Sequence, residues 1–225
     1  MPSRSVWDTR IVILGPPGSG KGTNARIISG IYSIPVITTG DMLREAVASG
    51  TEKGKTAGAY MDRGELVPDE IVIGIVEERL ARPDIARGFI LDGFPRNLAQ
   101  AEALDRILDD LGTGLTHVLN MVIEDEKIIS RLVLRRSCPS CGAIYHLKNK
   151  PPRVDGVCDE CGSELIKRSD DNAEVMRHRL EVYLEKSRPL LNRYRNQGLV
   201  RDLDGDLPME EIPEAVSTVL NDSKG

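Results

Sequence analysis

The stretch IVILGPPGSGKGT, residues 11–23, joins a strand signal, a glycine-rich loop and the start of a helix. Residues 11–14 are a short β-branched run that predicts a buried strand ending at Gly15. The residues after the loop, 23–32, have helical spacing. Glycines let backbone N–H groups crowd around phosphate oxygens, a helix N-terminus adds positive potential, and Lys21 adds a full charge. This context favours a phosphate-binding loop over a purely structural glycine turn.

The rest of the chain alternates short apolar runs with helical patterns. Residues 36–38, 88–92, 117–123 and 199–203 are predicted strands, and residues 97–111, 124–136, 170–197 and a segment from about Pro208 are predicted helices. Residues 41–82 are predicted to be mostly helical, with Asp41 near the first N-cap and breaks at residues 50–54, at Gly64 and before Pro68. The alternation predicts an α/β fold with a central parallel sheet flanked by helices. Ligands of such sheets bind beyond the carboxyl ends of the strands.

Composition excludes several classes of protein. The chain has 225 residues, with 30 Lys or Arg against 35 Asp or Glu, a formal charge of −5 and 40% apolar residues, enough to bury a sizeable core. No apolar run approaches the roughly 18 residues of a membrane span, and residues 1–10 lack the apolar segment of a signal peptide. We therefore expect a cytoplasmic globular protein that is not a general nucleic-acid binder. The leader with Trp7 is either a packed arm or a disordered tail.

All four cysteines lie in one short segment. Cys138 and Cys141 form one C-x₂-C pair, and Cys158 and Cys161 form a second after sixteen intervening residues. Two such pairs, each followed by a glycine, suit one tetrahedral zinc ion. Four thiolates leave no open coordination position, so that zinc is expected to be structural. A dithiol redox site and two disulfides are the alternatives, which a reducing cytosol disfavours.

The loop departs from other phosphate-binding loops at one position. Gly22 follows Lys21 where many such loops carry the Ser or Thr that binds magnesium, and Thr23 comes one residue later. The sequence also lacks an Asn-Lys-x-Asp guanine signature, because the segment from Asn149 reads NKPP. A switch GTPase is therefore disfavoured.

Five motifs together resemble the adenylate kinase family nearly end to end. They are GPPGSGKGT (15–23), TTGDMLR (38–44), LDGFPRNLAQ (91–100), RLVLRR (131–136) and RSDD (168–171). The resemblance implies a P-loop nucleoside monophosphate kinase with the reaction Mg·ATP + AMP ⇌ 2 ADP, and a structural zinc of the kind that some family members carry. It implies a core of residues 1–37, 68–133 and 172–225, an AMP-binding insertion at 38–67 and a zinc-bearing lid at 134–171. We expect a monomer that binds ATP, AMP and ADP, with neither nucleic-acid nor membrane partners.

The resemblance also implies roles for single residues. The implied catalytic residues are Lys21, Arg96, Arg131, Arg135, Arg168 and Arg179. The implied ATP-binding residues are Gly18, Ser19, Gly20, Lys21, Gly22, Thr23, Arg131, Arg135, Ile144, Tyr145 and Leu207. The implied AMP-binding residues are Thr39, Arg44, Glu65, Leu66, Val67, Gly93, Phe94, Pro95, Arg96, Gln100, Arg168 and Arg179. Asp92 would hold Mg²⁺ through ordered waters.

The chemistry of these residues agrees with phosphoryl transfer, which depends on positioning and charge stabilisation. The planar arginine fork suits phosphate oxygens, and Arg131 and Arg135, four residues apart, are expected on one helix face. The Gln100 amide donates and accepts together, which matches the edge of adenine. Asp92 ends a predicted strand and could instead be a plain helix cap. Asp170 and Asp171 at a predicted helix start suit a cap or an ion pair between lid and core equally.

Two other functions were weighed against this one. The first is a related kinase that uses GTP as donor or a pyrimidine monophosphate as acceptor. The second is a zinc-ribbon protein that binds nucleic acid, which should show a basic stripe with stacking aromatic residues. Residues 138–168 offer one aromatic side chain, Tyr145, among mixed charges. The sequence therefore favours the kinase.

Overall fold

The computed structural model describes residues 9–124, 128, 131, 134–148, 150–168 and 173–221. The leader with Trp7, except for its last two residues, lies outside the described residues. The pair Asp170 and Asp171 also lies outside them, so the expectations for both remain predictions.

A five-stranded parallel sheet lies at the centre of the protein, and its strands agree with the predicted ones. The strands are β1 (Thr9–Leu14), β2 (Val36–Thr38), β3 (Gly88–Asp92), β4 (His117–Val122), β5 (Arg135–Ser137), β6 (Ile144–His146) and β7 (Val200–Asp204). Five of them form the sheet in the order β2-β3-β1-β4-β7, and β5 pairs with β6 in a separate antiparallel hairpin. Ile13 lies opposite Asp92 on one neighbouring strand and opposite Leu119 on the other. Gly15 and Asp92 therefore both lie at the carboxyl edge of the sheet.

Helices cover both faces of this sheet. They are α1 (Lys21–Tyr32), α2 (Thr39–Ala48), α3 (Glu52–Arg63), α4 (Asp69–Leu80), α5 (Leu98–Asp110), α6 (Ala173–Val182), α7 (Pro189–Asn196) and α8 (Ile212–Asn221). None of these helices, in the part of the chain that the structure describes, combines the length and the apolar character needed to cross a bilayer.

The core consists of two apolar layers, one on each face of the sheet. Ile11 and Ile13 of β1 pack with residues of α1 and α8, whereas Val12 and Leu14 pack on the other side with residues from α2 to α5 and α7. All four side chains are at most 5% exposed. Because both faces of β1 are covered at residues 11–14, this part of the strand is a continuous apolar run rather than an alternating one. Each such buried side chain contributes roughly 1.5–3 kcal/mol.

The predicted helix over residues 124–136 is wrong at its carboxyl end. Arg135–Ser137 is strand β5, in which Arg135 pairs with His146 and Ser137 with Ile144. Arg131 lies in helical backbone, so the two arginines do not share a helix face as the spacing predicted. The polar and apolar pattern of residues 131–136 suits a helix locally, but antiparallel pairing with a strand beyond the first cysteine pair prevails.

The start of the predicted helical region also differs in detail. Helix α2 begins at Thr39, so Asp41 lies in its first turn and is not its N-cap. Helix α3 begins at Glu52, where the Thr51 hydroxyl accepts the Gly54 N–H at 3.0 Å. Gly54 therefore lies inside a helix where a break was predicted. A Cβ at Gly54 would lie 2.0 Å from the Ala46 carbonyl oxygen, so this glycine allows α3 to pack closely on α2.

The predicted long helix over residues 170–197 is interrupted. Residues Tyr183–Ser187 form a π-helical turn between α6 and α7, and Pro189, which cannot donate an N–H, stands at the start of α7. The last helix starts at Ile212 rather than near Pro208. The predicted breaks at Gly64 and before Pro68 are confirmed, because α3 ends at Arg63 and α4 begins at Asp69.

Candidate functional site

The glycine-rich loop joins β1 to α1 at the carboxyl edge of the sheet. Gly15, Gly18 and Gly20 have φ values of 151°, 82° and 89°, a region that favours glycine. A Cβ at Gly15 would lie 2.7 Å from the Ser19 Oγ, so the turn has no room for a side chain there. The Lys21 ammonium group donates to the carbonyl oxygens of Gly15 and Pro16, each at 2.8 Å. These contacts hold the lysine head against the loop at the first turn of α1.

Lys21 and Asp92 form a charged pair of groups at the floor of the site. Burial lowers the pKa of Lys21 to about 8; Asp92 opposes this shift, and Arg96 adds to it. Burial raises the pKa of Asp92, while Lys21 and Arg96 act in the opposite direction. Because each group stabilises the charge of the other, the pair is suited to hold an anion and a hydrated cation side by side.

Gly22 lies directly against Asp92 and the hairpin formed by β5 and β6. A Cβ at Gly22 would lie 3.4 Å from the Asp92 Oδ2 and 3.0 Å from the Ile144 Cδ1. The position where other loops carry a Ser or Thr is therefore occupied from outside by a carboxylate and a methyl group. A larger residue at position 22 would require the Ile144 side chain to move by a few tenths of an ångström.

A cavity of about 1180 Å³ opens above the loop. The predicted site residues that line it are Gly18, Gly20, Lys21, Gly22, Thr23, Arg44, Asp92, Gly93, Pro95, Arg96, Arg131, Arg135, Ile144, Tyr145, Arg168, Arg179 and Leu207. Arg131 donates to the Gly205 carbonyl oxygen at 2.7 Å and pairs with Asp206, which holds the segment after β7 against the cavity. The cavity thus brings together guanidinium groups from distant parts of the chain.

A narrow slot of about 40 Å³ adjoins this cavity beside α2 and α3. The predicted site residues that line it are Thr39, Arg44, Glu65, Leu66, Val67, Gly93, Arg96, Gln100 and Arg179. The Arg96 Nε donates to the Gly93 carbonyl oxygen at 2.8 Å, which fixes the guanidinium between slot and cavity. A Cβ at Gly93, whose φ is 87°, would lie 2.7 Å from the Thr39 Oγ1. This glycine is therefore needed for the close approach of β3 and α2.

Two predicted site residues have side chains that line neither space. Phe94 is fully buried and packs in the core cluster below the slot. Ser19 is also fully buried, and its Oγ lies within 2.7 Å of where a Gly15 side chain would begin. The side chains of Ser19 and Phe94 therefore face neither space, and their predicted roles in nucleotide binding remain predictions.

The four cysteines meet in one cluster within the segment formed by residues 134–148 and 150–168, the cysteine segment. All four Sγ atoms lie within 4.8 Å of one another. The Sγ atoms of Cys138 and Cys161 are 3.4 Å apart, and those of Cys141 and Cys158 are 3.5 Å apart. A tetrahedral zinc with Zn–S bonds of about 2.3 Å needs sulfur atoms about 3.8 Å apart. The donor set and its spacing therefore fit a zinc ion.

The surroundings of the sulfur atoms shift the pKa values of two of the cysteines in opposite directions. Burial opposes ionisation of Cys158, but hydrogen bonds from the Tyr145 hydroxyl and from backbone N–H groups lower its pKa to about 6. Burial raises the pKa of Cys141 to about 12. Four thiols this close cannot all ionise near neutral pH unless a cation lies among them.

Tyr145 belongs to this cluster as well as to the wall of the cavity. It is 2% exposed, its hydroxyl accepts the Asp159 N–H at 2.8 Å and lies 3.5 Å from the Cys158 Sγ. The predicted ATP-binding residue is therefore also a structural neighbour of the cysteines.

The family model for adenylate kinase matches residues 13–199 of the chain. A relative named adenylate kinase from Archaeoglobus fulgidus is 52% identical over 214 residues, which cover 95% of this chain and 99% of the relative. Adenylate kinases from Caldanaerobacter subterraneus subsp. tengcongensis and Clostridioides difficile are 50% and 47% identical, over 94% and 96% of this chain and 96% and 100% of theirs. The chain belongs to the adenylate kinase family. It is an ATP:AMP phosphotransferase, which uses Mg²⁺ with ATP and produces two ADP.

For an adenylate kinase, two polar contacts over the cavity were not foreseen from the sequence. Asp41 pairs with Arg44 on its own helix, and its Oδ1 also lies 3.6 Å from the Arg168 Nη2 of the cysteine segment. Arg26 of α1 donates to the Cys141 carbonyl oxygen at 3.0 Å, and its other nitrogen lies 3.6 Å from Glu160. The TTGDMLR motif predicts only that Asp41 lies near a helix N-cap, and nothing local in the sequence marks Arg26.

Proposed function

We propose that this adenylate kinase binds ATP in the large cavity and AMP in the slot, with their phosphates meeting between the two. One observation carries the proposal: Arg44, Arg96 and Arg179 line both spaces. These side chains stand at the boundary, where the terminal phosphate of one nucleotide would approach the phosphate of the other. Their guanidinium groups are suited to share phosphate oxygens through pairs of N–H donors.

The charges around the boundary suit in-line phosphoryl transfer. Four cationic side chains line the cavity from different parts of the chain. Lys21 follows the glycine-rich loop, and Arg131 lies in the helical backbone before β5. Arg135 belongs to β5, and Arg168 is at the end of the cysteine segment. Such groups act by holding the reacting oxygens in place and by stabilising charge that spreads during transfer. Bound Mg²⁺ neutralises the phosphates, and Asp92 would hold it through waters, since Mg²⁺ keeps most of its hydration shell.

We also propose that the cysteine segment is a zinc-stapled lid. Its interior is small, consisting of Cys138, Ala143, Tyr145, Cys158 and Leu165. A metal ion held by four thiolates would supply stability that so few apolar side chains cannot. With the division predicted from the sequence, residues 134–171 form the lid, 38–67 the AMP-binding insertion, and the remainder the core. Closure of both parts would exclude water from the transferring phosphoryl group.

A single chain supplies every group named above, which supports action as a monomer. The absence of nucleic-acid and membrane partners stays a prediction, as does the cytoplasmic location.

The acceptor site is tested by Gln100→Ala in a coupled assay. We expect the unmodified protein to form ADP from ATP and AMP and to use GMP, UMP and CMP far less well. Loss of the buried amide should raise the KM for AMP at least tenfold and leave the KM for ATP within about twofold, because Gln100 lines the slot and not the cavity. Equal losses for both nucleotides would show that Gln100 does not mark the AMP site. A preference for a pyrimidine monophosphate or for GTP would favour the related kinases.

Binding of ATP is expected to weaken as the pH rises above about 8. In the free protein the pKa of Lys21 is lowered to about 8, so the ammonium group loses its proton above that pH. Bound phosphates favour the charged form and raise this pKa, so binding above pH 8 takes up a proton. The association constant should then fall up to tenfold per pH unit.

Calorimetric titration of the protein with MgATP at about pH 7 to 9.5, in two buffers with different ionisation enthalpies, measures the association constant and the number of protons taken up. The terminal phosphate, whose pKa is near 6, does not titrate in this window. The Lys21→Arg variant, which keeps its charge, should lose the slope and the proton uptake. A slope that persists in this variant would assign the titration to another group.

A further inference from the structure

The side-chain amide of Gln100 is held at both ends by groups of opposite hydrogen-bonding type. The Arg96 backbone N–H donates to Gln100 Oε1 at 2.8 Å, and Gln100 Nε2 donates to Asp69 Oδ1 at 2.6 Å. Gln100 is 1% exposed, so both of these contacts are shielded from bulk solvent.

These two partners allow one orientation of the amide. A backbone N–H can only donate, and an ionised carboxylate can only accept. Turning the amide over would place its NH₂ group against the Arg96 N–H and its oxygen against the Asp69 carboxylate. Two favourable contacts would become two repulsive ones in a buried place, where unpaired polar groups are costly. The orientation of Gln100 is thus dictated by chemistry on both sides.

Asp69 is itself held in place by a residue outside the slot. It is the first residue of α4, and its two carboxylate oxygens accept the Asn97 Nδ2 at 2.9 and 3.2 Å. The Asn97 Oδ1 in turn accepts the Gln100 N–H at 2.9 Å and caps α5. The starts of α4 and α5 are therefore joined through Asp69, Asn97 and Gln100, and of these three residues Gln100 lines the slot.

The fixed amide leaves a defined pattern for a purine base. The second hydrogen of Nε2 is available as a donor, and the second lone pair of Oε1 as an acceptor. A 6-aminopurine offers the complementary pair, an acceptor at N1 and a donor at N6. A 6-oxopurine offers the reverse, a donor at N1 and an acceptor at O6, and would pair well only with the overturned amide.

We propose that Asp69, with the Arg96 N–H, is a positioning residue that locks the Gln100 amide and thereby selects a 6-aminopurine over a 6-oxopurine monophosphate. The inference rests on the proposed function, which places the AMP base beside Gln100. It adds that the discrimination comes from an aspartate that does not line the slot, acting through the amide it orients.

The test compares kcat/KM for AMP with that for IMP in Asp69→Ala and Asp69→Ser, with ATP as donor. Both variants remove the carboxylate that accepts from Nε2, and serine is well tolerated at a helix start in case alanine destabilises α4. The ratio of AMP to IMP should fall about tenfold, through a loss for AMP and a gain for IMP, while the KM for ATP stays within about twofold. A merely structural defect would lower kcat/KM for AMP and for IMP by the same factor. The ratio would then be unchanged, and that result would overturn the proposal.

Asn97→Ser is the matched control. It removes both contacts between Asn97 and Asp69 but retains a good N-cap for α5 and leaves the contact between Asp69 and Gln100. Its ratio of AMP to IMP should stay within about twofold of that of the unmodified protein. A fall as large as that of the Asp69 variants would assign the effect to a loosened α5 and refute the locking role.

The Gln100→Ala variant separates this inference from the proposed function. If Gln100→Ala weakens the binding of AMP alone while the Asp69 variants keep the ratio, this inference fails and the proposed function stands. If Gln100→Ala weakens both nucleotides equally, the placement of the base itself is wrong.

Discussion

Replacing Lys21 with methionine is expected to lower kcat about a thousandfold. The Nζ atom lies at the loop, against the carbonyl oxygens of Gly15 and Pro16, in a cavity lined by arginines. Methionine has a similar length but no charge, so the variant removes a preorganised cation and little volume. Removing one preorganised hydrogen-bond donor from a site that stabilises the transition state lowers the rate roughly 10²–10³-fold. Removing a full positive charge that contacts the transferring phosphoryl group can lower it further.

Steady-state kinetics with both nucleotides varied will measure this effect. A cation used mainly in the transition state predicts equal falls in kcat and in kcat/KM, rather than a rise in KM alone. The matched control is Lys55→Met on α3, whose ammonium group is exposed and pairs with Glu52. That variant should keep kcat within about twofold. A Lys21→Met protein with kcat within tenfold of the original would contradict the role given to the loop.

Loss of the metal is expected to cause the largest loss of stability. We expect about one zinc per chain, and its removal by a chelator or by Cys138→Ser with Cys141→Ser should lower Tm by more than about 5 °C. The hydrophobic cluster of the cysteine segment has five buried residues, so the proposed structural ion would supply much of its folding free energy. For a chain of this size, each kcal/mol lost corresponds to about 2–4 °C.

Metal content and calorimetry on the same samples decide the matter. The KM for ATP should rise about tenfold in the metal-free protein, because the cysteine segment forms one wall of the cavity through Ile144 and Tyr145. Far-UV circular dichroism should change little, since the parallel sheet and its helices lie outside the segment. Ser140→Ala, beside Cys141 in the same turn, is the control and should retain both zinc and Tm. A metal-free chain that melts no lower than the metallated one would refute the stapling role.

The phosphate loop and the strands of the sheet could be predicted because their signals are local. Gly15 has no room for a side chain, and residues 11–14 of β1 are apolar because both faces of the strand are covered there. Two cysteine pairs at metal-binding spacing likewise predicted a cluster whose sulfur atoms meet. In each case the residues that carry the information are neighbours in sequence.

The first and last residues of helices and strands were harder to predict where contacts with a distant segment oppose the local backbone preference. Arg135 follows a helical pattern but lies in β5, because backbone pairing with His146 decides its conformation. Gly54 looked like a helix break, yet it lies within α3, where it allows contact with the Ala46 carbonyl group. Local propensity differs between helix and strand by less than about 1 kcal/mol per residue, so packing partners override it.

By itself the sequence determined the family, the reaction, the phosphate loop and the set of groups that can hold a metal. Only the tertiary structure decided which polar groups meet: Asp69 with Gln100, 31 residues away, and Asp41 with Arg168 above the cavity. The reason is one of range. Backbone preferences and apolar periodicity act between neighbours along the chain, whereas a hydrogen bond requires two atoms to lie about 3 Å apart, and for distant residues the packing of whole helices sets that distance.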